Sequence, residues 1–421
     1  MIAALGIAGV SASAYTAGAT DRPASAEPVT LELSYVNDPI STAVIEAFEA
    51  AHPDIDIDAS IIPFGDYVST IRLTMSSDSA PDIAQYNAGA MRTLIPEGYL
   101  MPLDEFESSM GWAEKFTASS LAVLRTDESA LRFDTGSLYA VPAGLSITGI
   151  YYNKELAAEL GIELPLAGLE DFEAAMATAV EGDVDALTVG ALDHNGLHYW
   201  SALVNVLGPA EEYRSWAYGA EGATIEIDGA RAASDRIVEW VDAGFISPDS
   251  NGIAAADAAA AFSAGESLFH LDGNWNAVGF DEAMGDNVGF FLLPMGDGSE
   301  ANVANGASVS WSISAQTEHP DEAALFLDFM SSDEAAVAQV ESGFMPVNPT
   351  ADTAAAGVTA EIVDAFAVVA ENDGIMPFPD HPAPALLDLL IAGVQGLISG
   401  QMSTDDYLAS LQAAWDEFHS S

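Results

Sequence analysis

Cysteine does not occur in this chain, so neither a disulfide nor a thiolate metal site can be built, and the working compartment has to be read from other features. Basic residues are nearly as scarce. Ten lysines and arginines stand against 65 aspartates and glutamates, a formal net charge of −55 over 421 residues. A field of that sign repels phosphate backbones and anionic lipid surfaces, which argues against nucleic acid as a partner. Beyond the first residues, no apolar run reaches bilayer-spanning length without a charge. The Gly-x-Ser-x-Gly elbow, the phosphate-binding loop and the His-Glu-x-x-His helix are all missing, as are internal repeats and Ser/Thr-rich stalks. Among enzymes this leaves a secreted glycoside hydrolase working through a pair of carboxylates, and with so many acids suggestive pairs arise by chance.

What is present is a folding chain. Half of its residues are aliphatic or aromatic, and its length exceeds what a single core usually organises, so two domains are expected. Asp54, Asp56 and Asp58 alternate with Ile55 and Ile57, which places the carboxylates on a solvated face and the isoleucines inward. The acidity reads either as adaptation of the whole surface to salt or as a cation-binding face. Met1 to Val10 is almost wholly apolar and is followed by small residues, with Ala12-Ser13-Ala14 and Ala24-Ser25-Ala26 as small-x-small cleavage sites. Residues 1–26 are therefore expected to be an export segment, although it lacks the usual basic start; a buried helix is the rival reading.

Leu31, Leu33 and Tyr35 alternate as in a strand, Asn37-Asp38-Pro39 breaks it, and a helix carrying Val44, Ala47, Phe48 and Ala51 follows before a second alternating strand. Strand, helix, strand at this spacing implies a right-handed parallel crossover and an α/β sheet with a ligand-facing rim at its strand ends. Asp82 to Tyr86 reads as a third strand. Leu138 to Asn153 reads as a long β-rich stretch, followed by helices near 154–160, capped by Gly161, and near 169–180. Residues 254–264 suit a close-packed helix. The faces Ala323, Phe326, Leu327, Met330 and Leu408, Leu411, Trp415, Phe418 suit two more.

Eight short motifs then follow one another: Val44-Ile-Glu-Ala-Phe-Glu-Ala-Ala-His-Pro-Asp54, Ala80-Pro-Asp-Ile-Ala-Gln-Tyr86, Gly98-Tyr-Leu-Met-Pro-Leu103, Tyr139-Ala-Val-Pro142, Gly149-Ile-Tyr-Tyr-Asn-Lys154, Phe262-Ser-Ala-Gly265, Asp272-Gly-Asn-Trp275 and Gly343-Phe-Met-Pro346. In this order they resemble the type 1 family of bacterial extracellular solute-binding proteins, in its carbohydrate-uptake branch of maltose and trehalose binders. The resemblance implies a two-lobed periplasmic-binding-protein fold (type II), each lobe a mostly parallel sheet flanked by helices, with the ligand cleft between lobes. On that analogy lobe one takes 27–143 and 287–345, and lobe two takes 144–286 and 346–421. Pro142-Ala143-Gly144 and Leu293-Pro294-Met295-Gly296 are the expected hinges. The implied partners are a neutral carbohydrate and the membrane permease subunits of an ABC transporter, the binding protein itself being a monomer without cofactor. Many relatives in Gram-positive bacteria are tethered through a lipidated cysteine. Here that residue is absent, and the expectation is a free periplasmic or extracellular protein.

A sugar offers apolar C–H faces and a rim of hydroxyls, so its site needs aromatic platforms and fixed polar groups in a concave cleft. Asn37 and Asp38 follow the first strand, while Tyr86 and Asn87 follow the third, at positions that match ligand-facing loops of the family. Asp38 also suits a helix N-cap. Asn274 and Trp275 end an apolar strand where the family places a stacking aromatic, with a core tryptophan as the alternative. Ser146 corresponds to a polar contact beyond the first hinge, where many relatives carry Glu. Asn305 and Gly306 lie beside the second crossover, Phe344 would close a third wall, and His198, Tyr199 and Trp200 are lobe-two candidates with core packing as their rival. Asp193, His194 and His198 superficially suggest a metal, but Gly196 is expected to break a helix there and no third ligand follows, so none is expected. No basic residue falls among the candidates, which favours a neutral sugar over phosphate or carboxylate ligands.

Overall fold

A computed structural model of the protein describes residues 28–164, 166–348, 350–351 and 353–420; the expected export segment, 1–26, lies outside them. Eleven strands are present among the described residues: β1 (Val29–Val36), β2 (Ile55–Ile62), β3 (Ile83–Gln85), β4 (Arg125–Thr126), β5 (Ser137–Leu138), β6 (Val141–Asn153), β7 (Asp185–Leu187), β8 (Ser267–Gly273), β9 (Val288–Phe291), β10 (Ala304–Ile313) and β11 (Ile375–Met376). Nine form one mixed sheet, with β2-β1-β3-β10-β6-β8-β7 as its path, β9 on β6 and β11 on β10.

The expected parallel crossovers stand at the two ends of that path, where β1 pairs parallel with β2 and β3, and β7 with β8. Antiparallel strands join them. β10 runs against β3 through Trp311–Ile313 and against β6 through Gly306–Trp311, and the far half of β6 pairs with β8 and β9. Two strands therefore pass through both halves of the molecule. A third link is the bridge between Leu145 and Met345, whose N–H groups each donate to the other's carbonyl.

Each half has its own core. The first gathers Leu31, Phe48, Tyr67, Trp112, Trp311 and Phe326; the second gathers Phe172, Trp200, Trp216, Phe269, Tyr407 and Leu411. Phe291 and Leu293 pack in the second, and the Gly296 N–H donates to the Val206 carbonyl of that half. The chain thus returns to the first core inside β10, later than position 287. Where β6 and β10 cross, the register shifts between Val309 and Ser310, so that Ala143 has no partner and forms a bulge within the expected Pro142-Ala143-Gly144 segment.

Local signals explain several elements. Asp38 caps the helix Pro39–Ala51 by accepting from the Ser41 N–H at 2.7 Å, with Pro39 in the first turn. Gly161 holds φ +70°, the left-handed conformation that ends the helix Lys154–Glu159. Residues 254–264 supply the helix Ala255–Ser263, with Phe262 buried. One expectation is corrected: Gly196 does not break a helix but lies in the first turn of Asn195–Leu207, where glycine costs little and its N–H is held by the Gly190 carbonyl.

Candidate functional site

Between the two cores lies a cavity of about 630 Å³, within the ~300–1,000 Å³ range of small-molecule sites. The first half contributes Asn37, Asp38, Phe64, Tyr86 and Asn87. The crossing segments contribute Ser146, Gly306, Ser308, Ser310 and Phe344, the second half contributes His194, His198, Asp272, Phe378, Asp380 and His381, and Trp275, just after β8, packs against the first core. No lysine or arginine is among the described residues that line it.

Strand ends and helix starts aim these groups. Asn37 and Asp38 sit between β1 and the following helix; besides its capping bond, Asp38 accepts from the Gln85 side chain at 3.0 Å. Desolvation outweighs these bonds and raises its pKa above the usual carboxylate value. Asn87 caps the short turn Ala88–Met91 through the Ala90 N–H. Tyr86 is buried, and burial pushes its hydroxyl up to about 12. Ser146 donates to the Ala307 carbonyl at 3.0 Å, and Phe344 packs in the first core while facing the cavity.

Aromatic rings form a continuous wall. Phe64 meets His194 at 5.0 Å between centroids, His194 meets His198 at 5.8 Å, and His198 meets both Trp275 at 5.6 Å and Phe378 at 5.5 Å. Phe378 in turn meets His381 at 5.9 Å. The Phe64–His194 contact joins the two halves across the cavity. Burial lowers the His198 pKa to about 4 and lowers that of His381 too, so both rings are neutral at pH 7. The wall presents flat apolar ring faces with nitrogen atoms at their edges.

Four sequence candidates fall outside the lining. Tyr199 and Trp200 follow His198 by one and two residues on a helix that turns about 100° per residue, so they point into the second core. There the Tyr199 hydroxyl donates to the Thr188 carbonyl and accepts from the Leu271 N–H, while the Trp200 indole donates to Ser234. Asn274 accepts from the Ile147 N–H and donates to the Gly343 carbonyl, tying two crossing segments together. Asn305 donates to the Pro377 carbonyl at 3.0 Å. Phe64, Asp272, Phe378, Asp380 and His381, absent from the sequence candidates, line the cavity instead. A helical-wheel reading that joined His194 to His198 would have found one face of this wall.

Asp272 is held ionised from behind. Burial alone would raise its pKa, but hydrogen bonds from the His270 ring and the Gly273 N–H bring it below the usual value. His270 stands 3.3 Å from Asp272 through Nε2 and 2.9 Å from the Thr188 hydroxyl through Nδ1. Hydroxyl, imidazole and carboxylate in this order resemble a hydrolytic triad. Thr188 does not line the cavity, however, and His270 is buried, so a molecule bound there could not meet the hydroxyl. The network orients Asp272 and, through it, the Asn276 amide at 2.8 Å.

The family model described as bacterial extracellular solute-binding protein matches residues 43–367. A putative binding protein of Brucella abortus is 24% identical over 332 residues, covering 75% of this chain and 74% of that protein. A multiple sugar-binding protein of Streptococcus mutans is 22% identical over 348 residues, covering 79% and 78%. Among solved structures, a chitin oligosaccharide binding protein superimposes with a TM-score of 0.79 at 22% identity, over 94% of this chain and 100% of that one. Maltose-bound MalE3 of T. maritima gives 0.72 at 15% identity, over 92% and 99%. These superpositions establish the two-lobed periplasmic-binding-protein fold.

Proposed function

This chain belongs to the bacterial extracellular solute-binding proteins, and from that membership we propose that it captures a neutral mono- or oligosaccharide between its lobes and delivers it to the membrane permease subunits of an ABC importer. The observation that carries the reading is the cavity itself: an aromatic wall of Trp275, Phe378, His198 and His381, faced by carboxylates and hydroxyls, without a lysine or arginine among its described lining residues. Rings stack on the C–H faces of a sugar, while Asp38, Asp272 and the serines accept from its hydroxyls. A phosphate or carboxylate ligand would call for arginine. The names of the Streptococcus mutans relative and of the chitin oligosaccharide and maltose binders support the same ligand class.

Lobe one in this reading is the half around the first core and lobe two the half around the second, and they rock about the three crossing segments. The bulge at Ala143 beside Gly144 is the natural hinge, and a ligand that touches both lobes shifts the population toward the closed form. Export fits the family and the apolar amino-terminal segment. Among the described residues no helix is long and apolar enough to cross a membrane. The acidic surface suits a high-salt medium, and a single copy suffices for the site.

The test is a thermal melt of the protein with neutral mono- to tetrasaccharides, paired with chromatography of the sugar afterwards. A raised melting temperature without shorter sugars is the expected result. Products whose formation one carboxylate substitution abolishes would replace binding by hydrolysis, and a panel without any shift would remove the carbohydrate reading.

A further inference from the structure

Four aspartates line the cavity, and three of them are engaged. Asp38 accepts from Ser41 and Gln85; Asp272 accepts from Gly273 and Asn276 beside His270; Asp373 pairs with Arg214. Asp380 differs. It is 7% exposed, yet no hydrogen bond or ion pair from the described residues reaches its carboxylate. A carboxylate without a protein donor keeps all of its acceptor positions free for a ligand. Its oxygens are not sealed in the core, since Asp380 lines the cavity between Phe378 and His381.

The backbone around Asp380 is held from both lobes. The Pro377 carbonyl accepts from Tyr213 at 2.7 Å and from Asn305 at 3.0 Å, and the Pro382 carbonyl accepts from Arg92 at 3.0 Å and lies 3.1 Å from a His419 ring nitrogen. Gly89 of lobe one packs so close that a Cβ there would stand 2.5 Å from the Asp380 carbonyl oxygen. A segment clamped in this way presents its side chain at a fixed place, the pre-organisation a binding group requires.

We propose that Asp380 is the specificity-determining carboxylate of the cleft: it accepts two adjacent hydroxyls of a sugar ring seated on Trp275 and Phe378, and it excludes acidic sugars. This rests on the carbohydrate reading above. A carboxylate has acceptor sites for a vicinal pair of O–H donors. With no lysine or arginine in the lining, nothing offsets its repulsion of a uronate.

The experiment is titration calorimetry of the full chain with whichever of maltotriose, xylotriose, raffinose or triacetylchitotriose gives the largest thermal shift, repeated on Asp380→Asn and Asp380→Ser, with trigalacturonate as the acidic probe. Losing a charge-assisted pair of hydrogen bonds should weaken binding by about 10- to 100-fold. Because the protein gives Asp380 no donor, both variants should melt, without sugar, at or above the wild-type temperature. Affinity within about twofold of wild type overturns the assignment of Asp380 alone. A ligand-free melt that collapses in both variants places the residue in the scaffold and overturns it too, and trigalacturonate binding to wild type overturns the charge filter. If none of the neutral sugars binds wild type, the carbohydrate reading falls, and this inference with it.

Discussion

His198 shows how the fold changes what a side chain is. Exposed, its ring would carry a charge below about pH 6.5; buried among Trp275, Phe378 and His194, it resists protonation down to about 4. Asp272 and Asp380 favour the charged ring, whereas His194 and His270 oppose it, and desolvation outweighs them all. The folded pKa is depressed, so the neutral ring carries no penalty above pH 6.5. As pH falls below that value the unfolded chain takes up a proton that the folded one refuses, and stability drops until about pH 4. The total is about 3 kcal/mol. Urea melts at pH 7 and pH 4.5 should therefore show a smaller acid loss for His198→Gln than for wild type. Equal losses would show that the ring titrates normally.

At the scale of single elements, the helix Pro39–Ala51 has a start that serves two ends. Asp38 caps it through Oδ1 and reaches Gln85 of β3 through Oδ2, while Gln85 in turn accepts from the Val36 N–H at 2.8 Å. One carboxylate so fixes the rim where β1 ends and the cavity begins. Asp38→Ala should lower stability by about 1 kcal/mol, and Asp38→Asn by much less because asparagine caps as well. Chemical denaturation of the two variants checks this, and equal losses would move the effect from the cap to the charge. The cap, the break and the following helix were legible from Asn37-Asp38-Pro39 because each is a local signal. Local sequence offers His198, Tyr199 and Trp200 on the helix Asn195–Leu207 with core packing as the alternative, and which arc of that helix meets the cavity depends on what packs behind it: His198 lines the cavity, while Tyr199 and Trp200 pack in the core.

For the whole molecule, the contact between lobes carries an unusual buried cation. Arg92, fully buried, donates to the carbonyls of Ala130 in the first half and of His381 and Pro382 in the second, and lies over the Phe133 ring. Burial lowers its pKa to about 10, which leaves it charged at pH 7. No carboxylate pairs with it among the described residues, so carbonyl dipoles and a ring face stabilise the charge. Arg92→Ala leaves buried carbonyls of both halves without a donor and should cost about 3 kcal/mol of stability, with a larger radius of gyration in ligand-free scattering as the halves separate. An unchanged radius would show that the crossing segments alone hold the lobes together.

The sequence by itself determined the class of fold, the order of most elements and the sign of the cleft. Alternation, caps and breakers act within a few residues, and a cavity built from a chain with ten basic residues has few chances to hold one. Tertiary structure alone decided which polar groups line the cavity. Asn274 and Asn305 look the same in sequence as any binding asparagine, yet both are engaged in tying segments that lie far apart in the chain. Phe378 and Asp380 carried no motif, and reach the cavity because carbonyl contacts from distant residues fix their loop there. A hydrogen bond between residues far apart in the chain leaves no mark on local periodicity, and that is why Trp275 could be placed at the end of its strand while Phe378 and Asp380 could not be placed beside it.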